Sequence, residues 1–144
     1  MGIVENYRIE KEFGTQKKRK FGRAFLVSSK LNPLHRGVLK TLSKTEFNTH
    51  LQERLRNERH FSFELFNLPS VLDFEETENE IFLLLEYKKG ITLDQFWEKV
   101  KRKDRMTTLK QLIHAMAVPL NELKARNIVH CDLKPSNILV HVLD

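Results

Sequence analysis

The segment IVHCDLKPSNILV, residues 128–140, places polar side chains between two apolar ends. Those ends are aliphatic and β-branched, which is the composition of short buried strands. Between them stand His130, Asp132, Lys134 and Asn137, and Pro135 prevents a regular strand ladder. A carboxylate, an ammonium group and an amide in one short stretch could accept a proton, neutralise an anion and bind a hard cation. We interpret the segment as a rigid polar loop that its apolar flanks anchor.

A second set of charged side chains falls where apolar residues are expected. Glu58 follows Leu51 and Leu55 at helical spacing, so the pattern predicts that it lies on the buried face of a helix. Lys40 lies in an apolar strand, on the same face as Val38. A buried carboxylate needs a cationic partner or strong hydrogen bonds. Two arrangements meet this need: a Lys40–Glu58 ion pair, or Glu58 at a helix edge with Lys40 extended to water.

The elements that must position these residues follow from periodicity and turn signals. The predicted strands and helices are strands Tyr7–Phe13, Arg23–Ser29, Gly37–Leu42, Val71–Phe74 and Ile81–Tyr87, and helices Thr45–Leu65, Thr92–Val100 and Thr107–Arg126. Pro119 predicts a kink in the long helix, and Asn127 predicts its left-handed end. This order predicts an α+β fold, with a small antiparallel sheet and one packed helix followed by the start of a helical lobe.

Length and composition limit the class of protein. The 144 residues are 40% hydrophobic and 31% charged, as expected for a globular chain with a core of its own. No apolar run approaches the roughly 18 residues that cross a membrane, and the N-terminus lacks a signal-peptide pattern. The lone Cys131 cannot form an internal disulfide, which favours the reducing cytoplasm.

Excess positive charge raises the question of anionic partners. The net charge is +6, with basic runs at Lys17–Lys20 and Lys99–Arg105. Such runs bind phosphate, nucleic acid or anionic lipid, or they are solvated loops and helix faces. Because no aromatic residue interleaves either run, the sequence argues against a stacking platform for single-stranded nucleic acid.

The polar loop resembles the catalytic loop of eukaryotic-type protein kinases. That loop has the pattern His-x-Asp-x-Lys-Pro-x-Asn, and residues 130–137 of this chain, HCDLKPSN, match it. Other landmarks follow in the family's order. Phe21-Gly22 resembles the end of the glycine-rich loop, Gly37–Lys40 resembles the Val-Ala-Ile-Lys strand, and Glu58 falls where the family has its helix glutamate. LLLEYKKG resembles the hinge, and GITLDQF the start of the next helix. The resemblance covers essentially the whole chain, but only about the first half of such a domain.

This resemblance implies transfer of a phosphoryl group from ATP to a hydroxyl, which requires positioning and charge neutralisation. Lys40 would neutralise the α- and β-phosphates, and Glu58 would hold Lys40 in place. Asp132 would accept the substrate hydroxyl proton or orient that hydroxyl. Lys134 would lie near the transferred phosphate, and the side-chain oxygen of Asn137 would bind Mg²⁺.

The resemblance also implies a nucleotide site, in a crevice between two lobes. Leu85 takes the gatekeeper position, the backbone of Glu86 to Lys88 would face adenine, and Thr92 lies near the ribose position. The full set implied is Gly14, Gly22, Ala24, Val38, Lys40, Leu85, Glu86, Lys88 and Thr92. The implied domains are an N-terminal lobe at 1–86, a hinge at 87–90 and an incomplete C-terminal lobe at 91–144.

Lys134-Pro135 resembles Ser/Thr kinases more than tyrosine kinases or the small-molecule phosphotransferases of the same fold, which stay a weaker alternative. The protein substrate stays unassigned.

The chain departs from the family pattern at several positions, among them Ala24 and Val38, which look exchanged relative to the usual valine and alanine. Cys131 replaces an arginine that often pairs with a phosphorylated activation loop, so we expect no dependence on such phosphorylation through this position. Gly14 and Gly22 enclose a basic loop in place of the middle glycines, which would either add charge over the phosphates or cover them poorly. No Asp-Phe-Gly segment is present, so the expectation is a fragment with weak or no turnover. The exposed apolar face of the long helix then predicts a partner chain, or a non-catalytic interaction module.

Overall fold

The computed structural model describes residues 2–14, 22–65, 67–129 and 133–142. The chain divides into two compact units, Met1–Tyr87 and Lys88–Asp144. Several predicted features lie outside the described residues: the basic run Lys17–Lys20, Phe21, and the loop residues His130, Cys131 and Asp132. Within the described ranges, no helix is both long and apolar enough to span a membrane.

The first unit is a five-stranded antiparallel sheet with two helices. Its elements in chain order are α1 (Ile3–Asn6), β1 (Tyr7–Phe13), β2 (Arg23–Ser29), β3 (Arg36–Ser43), α2 (Thr49–Glu58), β4 (Val71–Glu76) and β5 (Glu80–Glu86). The strand order is β1-β2-β3-β5-β4, and every neighbouring pair is antiparallel. The predicted small antiparallel sheet is therefore confirmed.

Both faces of this sheet bury apolar side chains, because successive residues of each strand point to opposite sides. Leu42, Ile81 and Leu83 are buried on one face, and a larger cluster lies on the other. The larger cluster consists of Ile3, Phe25, Val27, Leu39, Phe82 and Leu84. Helix α1, which the sequence analysis missed, brings Ile3 into this cluster at 1% exposure. The Ile3 N–H donates to Glu75 Oε2 at 2.8 Å, which fixes the short helix on the sheet.

Helix α2 is shorter than the predicted Thr45–Leu65. It begins after Asn48, whose side chain accepts from the Thr45 N–H at 3.0 Å and donates to the Ser43 carbonyl at 2.8 Å. It ends at Glu58, because the following backbone binds the approach to β4 instead. The Val71 N–H donates to the Phe61 carbonyl at 3.0 Å, and the Ser70 hydroxyl contacts both backbone groups of Phe63. Periodicity alone could not reveal this competing use of residues 61–63.

Charged contacts attach α2 to the hairpin of β4 and β5. The carboxylate of Glu76 accepts from Arg56 at 2.6 Å and from Lys44 at 2.7 Å. Arg56 also pairs with Glu53 on its own helix. Hydrogen bonds from Arg56 and then Lys44 lower the pKa of the Glu76 carboxyl from its usual 4.5 to about 2. The ionised form of Glu76 is thus the form that the fold favours.

The second unit combines two helices with a two-stranded ribbon. Its elements in chain order are β6 (Ile91–Thr92), α3 (Leu93–Lys99), a 3₁₀ turn (Arg102–Asp104), α4 (Arg105–Ala125), a second 3₁₀ turn (Pro135–Asn137) and β7 (Leu139–Val140). Strands β6 and β7 pair antiparallel. Together the two units confirm the predicted α+β class.

Helix α4 begins two residues before the predicted Thr107 and ends one residue before the predicted Arg126. It continues through Pro119, where the kink stays a prediction. Asn127 has a φ of 53° in the left-handed region, as predicted for the helix end. The apolar face is exposed, with Ile113 61% and Leu109 43% accessible. Val129, which we expected in a short buried strand, is 78% exposed and forms no strand.

Replacement of Ile3 by alanine tests whether α1 belongs to the core. Because Ile3 is buried at 1% exposure, we expect Ile3→Ala to lower the free energy of unfolding by about 2–5 kcal/mol. The neighbouring Val4 is 57% exposed, so Val4→Ala should change the free energy of unfolding by less than about 0.5 kcal/mol. Urea denaturation followed by circular dichroism measures both. Equal effects of the two variants would show that α1 does not pack on the sheet.

Removal of the Glu76 charge should make stability less dependent on pH. A carboxyl whose pKa falls on folding stabilises the fold only when ionised, so its contribution is present above pH 4.5 and is lost as the pH falls towards 2. We expect Glu76→Gln to unfold at lower urea concentration near pH 7, and the difference from the unmodified protein to shrink across that window. A difference that stays constant with pH would contradict the ionic role of Glu76.

Candidate functional site

The ammonium of Lys40 and the carboxylate of Glu58 form an ion pair, with Nζ and Oε2 3.2 Å apart. Strand β3 supplies the lysine, and the last residue of α2 supplies the glutamate. Their side chains are 39% and 28% exposed, so both groups are partly desolvated but still reach water. Of the two arrangements that the sequence left open, the structure adopts the ion pair. An ammonium held this way keeps donor capacity for a second anion, since it carries three N–H groups.

Several residues of the implied nucleotide site share one face of the sheet with Lys40. Ala24 lies directly opposite Lys40 in the β2–β3 register, and Leu85 lies opposite Val38 in the β3–β5 register. Directly opposed residues point to the same side, as do Val38 and Lys40 at alternate positions. This face is the reverse of the one that carries the core cluster with Leu39 and Phe25. Aliphatic side chains therefore adjoin the ammonium group on one surface, which we call the Lys40 face (Ala24, Val38, Lys40 and Leu85).

Gly14 and Gly22 stand at the two ends of the β1–β2 connection, and both have positive φ, 81° and 90°. A Cβ at Gly22 would lie 2.6 Å from the Thr41 carbonyl oxygen, so that position requires glycine on two counts. No atom lies within 4 Å of a Cβ built on Gly14, so its backbone conformation alone favours glycine there. The residues between them, 15–21, lie outside the described part.

Glu86, the last residue of β5, is engaged through its N–H and its side chain. Its N–H donates to the Ser70 carbonyl at 2.9 Å, and its Oε1 accepts from the Ser70 N–H at 3.2 Å. Glu86 and Tyr87 also line an open cavity of about 740 Å³ beside the turn between β2 and β3. None of the residues of the Lys40 face lines that cavity, so it is a separate feature.

In the second unit, Lys134 and Asn137 lie at the two ends of one tight turn. The Asn137 N–H donates to the Lys134 carbonyl at 2.9 Å across the 3₁₀ turn. The turn leads into β7, where Thr92 pairs with Leu139, and the Leu93 N–H donates to the Ile138 carbonyl at 2.8 Å. The apolar flank after the polar loop is thus anchored as interpreted from the sequence, whereas the flank before it is exposed at Val129.

Thr92 is the N-cap residue of helix α3 and directly precedes Leu93. Its N–H donates to Gln95 Oε1 at 3.3 Å. Its hydroxyl contacts Asp94, and this hydrogen bond is the main cause of the lowered pKa of the Asp94 carboxyl. Thr92 is therefore tied to the first turn of α3.

Asn137 is the Mg²⁺ ligand that the resemblance implies, and it lies among the described residues. Among them, no group of three His, Cys, Asp or Glu side chains lies close enough to hold a metal ion. The amide oxygen of Asn137 suits Mg²⁺, which prefers hard oxygen ligands and keeps several waters or phosphate oxygens around it. Asp132, the nearest carboxylate in sequence, lies outside the described residues.

The sequence analysis missed the residues that attach α2: Lys44, Arg56 and Glu76. A signal was available, because Glu53 and Arg56 are three residues apart and so face each other on a helix. The distant partner Glu76 could not be inferred, since its contact depends on how α2 lies against the hairpin of β4 and β5.

Comparison with known proteins places this chain in a family. The family model described as protein kinase domain matches residues 20–143. Serine/threonine-protein kinase D2 of Homo sapiens is 35% identical over 112 residues, which are 74% of this chain and 12% of that protein. Serine/threonine-protein kinase D3 of Homo sapiens is 34% identical over 108 residues, which are 72% of this chain and 12% of that protein. An Aurora kinase of Candida albicans is 34% identical over 126 residues, or 85% of this chain and 24% of that protein.

The chain thus spans 12% of the length of the kinase D2 and D3 relatives. The family match covers most of the chain and includes the ion pair, the Lys40 face and the anchored polar turn. All of the relatives named are serine/threonine or Aurora kinases. This chain belongs to the protein kinase domain family and resembles its serine/threonine-specific enzymes.

Proposed function

We propose that the chain takes part in ATP-dependent phosphoryl transfer to a serine or threonine hydroxyl of a protein. The observation that carries this proposal is the Lys40–Glu58 ion pair at 3.2 Å, beside the aliphatic side chains of the Lys40 face. An apolar surface next to a held cation suits a ligand with a flat apolar ring at one end and phosphates at the other.

Lys40 would donate hydrogen bonds to the α- and β-phosphates of ATP. Its ammonium carries three N–H groups, and Glu58 accepts one of them. Glu58 also restricts the long lysine side chain, which otherwise loses about 2 kcal/mol of rotamer entropy when it binds. Charge neutralisation in a site already organised lowers the barrier to phosphoryl transfer.

The adenine ring would pack on Ala24, Val38 and Leu85. The Glu86 carbonyl and the Lys88 backbone would provide its hydrogen-bonding edge, and Thr92 would lie towards the ribose. Gly14 and Gly22 would let the β1–β2 connection approach the phosphates, since neither carries a side chain.

The polar loop would serve the transfer step. We assign Asp132 to accept or orient the substrate hydroxyl, and Lys134 to neutralise charge on the transferred phosphoryl group. Asn137 would supply one oxygen ligand to Mg²⁺, which would neutralise phosphate charge when bound. The setting that we propose is the cytoplasm, where the lone Cys131 would stay reduced.

A non-catalytic interaction module is the second candidate. It is favoured by the exposed apolar residues of α4, among them Met106, Leu109 and Ile113. Large apolar patches on a soluble surface mark contact sites for other chains. This candidate predicts a stable oligomer or complex without phosphoryl transfer.

Phosphoryl transfer with radiolabelled ATP, Mg²⁺ and casein tests the proposal. We expect slow incorporation of label into casein serine or threonine. Asp132→Asn should reduce the rate by about 10²–10⁴-fold if this carboxylate is the general base. Lys40→Ala should reduce it at least tenfold, since a hydrogen bond to a charged group contributes about 1.5–3 kcal/mol.

The matched controls are Asp73→Asn and Lys30→Ala, which remove the same charges at exposed positions outside the proposed site. Both should keep the rate of the unmodified chain. Equal transfer by all four variants would refute the proposed residue roles. No transfer by the unmodified chain, with an oligomer in light scattering, would favour the interaction module.

A further inference from the structure

Glu58 occupies an unfavourable place on α2. It is the last residue of the helix, where the partial negative charge of the helix end repels a carboxylate. The final turn of a helix also frays, because its carbonyl groups lack helical partners. The helix end alone therefore neither favours the Glu58 charge nor holds it in one position.

Apolar burial and polar contacts both hold α2, which lies on the sheet face where Leu42, Ile81 and Leu83 are buried at 3% exposure or less. Gln52 is its buried residue, at 7% exposure, whereas Leu51 and Leu55 are only half-buried. Gln52 itself makes polar contacts, donating to the Thr45 carbonyl at 2.9 Å and to Asn48 Oδ1 at 2.7 Å. These contacts lie at the start of the helix, and their residues precede Glu58 by six to thirteen positions. The Gln52 side-chain oxygen also accepts from Arg56 Nη2 at 3.3 Å. The last turn of α2 needs another attachment.

Glu76 supplies that attachment. Its carboxylate accepts from Arg56 Nε at 3.1 Å through both oxygens and from the second guanidinium nitrogen at 2.6 Å. Lys44 Nζ lies 2.7 Å from Glu76 Oε1 and donates to the Thr77 carbonyl at 2.6 Å. These contacts fix the carboxylate from two sides, and the planar guanidinium then fixes the orientation of Arg56. We call Lys44, Arg56 and Glu76 the Glu76 clamp.

The clamp acts on the same helical turn as Glu58. Arg56 precedes Glu58 by two residues, which is about 200° of rotation around a helix. Arg56 therefore contacts β4 on one side of α2 while Glu58 contacts β3 on the other. Loss of the Arg56 contact would leave the end of α2 attached to the sheet through the partly exposed Lys40–Glu58 pair and through Arg59, whose guanidinium lies 5.4 Å from the centre of the Phe74 ring. Exposed ion pairs and cation–π contacts each contribute little by themselves.

We propose that Glu76, acting through Arg56, is a positioning residue that holds Glu58 against Lys40. This inference rests on the proposed role of Lys40 in binding the phosphates of ATP. Glu76 itself would touch no phosphate. It acts by keeping the end of α2 helical, so that Lys40 stays pre-organised for its ligand.

Binding of a fluorescent ATP analogue with Mg²⁺, compared with binding of adenosine, tests the clamp in the full chain. Glu76→Gln should weaken the affinity for the ATP analogue by about three- to tenfold, the range for residues coupled within one ionic network. The affinity for adenosine should stay unchanged, because adenosine has no phosphate for Lys40 to bind. Amide hydrogen exchange in residues 53–58 should become faster in the same variant.

Glu10→Gln is the matched control. It removes the same charge from an ion pair on β1, where Glu10 lies 3.5 Å from Arg36. It should change neither the ATP affinity nor the exchange of α2. Arg56→Lys is a milder change, which keeps the charge but loses the planar contact with Glu76. It should lower the affinity for the ATP analogue less than Glu76→Gln does.

The outcomes separate this inference from the proposed function. If Lys40→Ala weakens ATP binding while Glu76→Gln and Arg56→Lys change neither affinity nor exchange, the clamp is refuted and the function stands. A loss of adenosine affinity equal to the loss of ATP affinity would also refute it, because it would indicate general destabilisation. If Lys40→Ala keeps full ATP affinity, the proposed function itself fails.

Discussion

The ion pair between the Lys40 ammonium and the Glu58 carboxylate is the interaction on which the proposed site depends. Neither group is deeply buried, with side-chain exposures of 39% and 28%, so its geometry cannot rely on a low dielectric. It relies on the two elements that carry the groups, strand β3 and helix α2. A central strand, paired on both sides by β2 and β5, is a rigid base for the lysine. A helix end is a much less rigid base for the glutamate, which makes the attachment of α2 the sensitive part of the structure.

The two faces of the sheet have different tasks. One face buries the aliphatic and aromatic cluster that holds the strands together, and Ile3 of α1 covers part of it. The other buries Leu42, Ile81 and Leu83 and also presents aliphatic side chains beside a charged group, with the end of α2 attached by charged contacts. Apolar burial is non-directional, whereas a bidentate guanidinium–carboxylate contact fixes an orientation. The use of charged contacts around α2 therefore suits a helix whose function is to place one carboxylate.

Much of this fold could be predicted from the sequence, because its strands alternate regularly and its turns are marked by glycine, proline and asparagine. The bounds of β1 and β2 and the left-handed Asn127 followed from these local signals. Three features did not, since each depends on a contact distant in sequence. Helix α1 is held by a hydrogen bond to Glu75. Helix α2 ends early because Ser70 and Val71 bind the backbone that follows it. The Glu76 clamp forms only because α2 lies against the hairpin of β4 and β5. The Lys40–Glu58 pair was one of two arrangements that the sequence allowed, and only the assembled sheet and helix select it.

The most direct measurement of the central claim is a double-mutant cycle on Lys40 and Glu58, with the dissociation constant of the ATP analogue as the readout. If Glu58 acts by holding Lys40, then Glu58→Gln weakens binding several-fold in the unmodified chain and has no further effect once Lys40 is alanine. If Glu58→Gln weakens binding by the same factor in both backgrounds, the two residues act independently, and the ion pair is not the basis of a phosphate site.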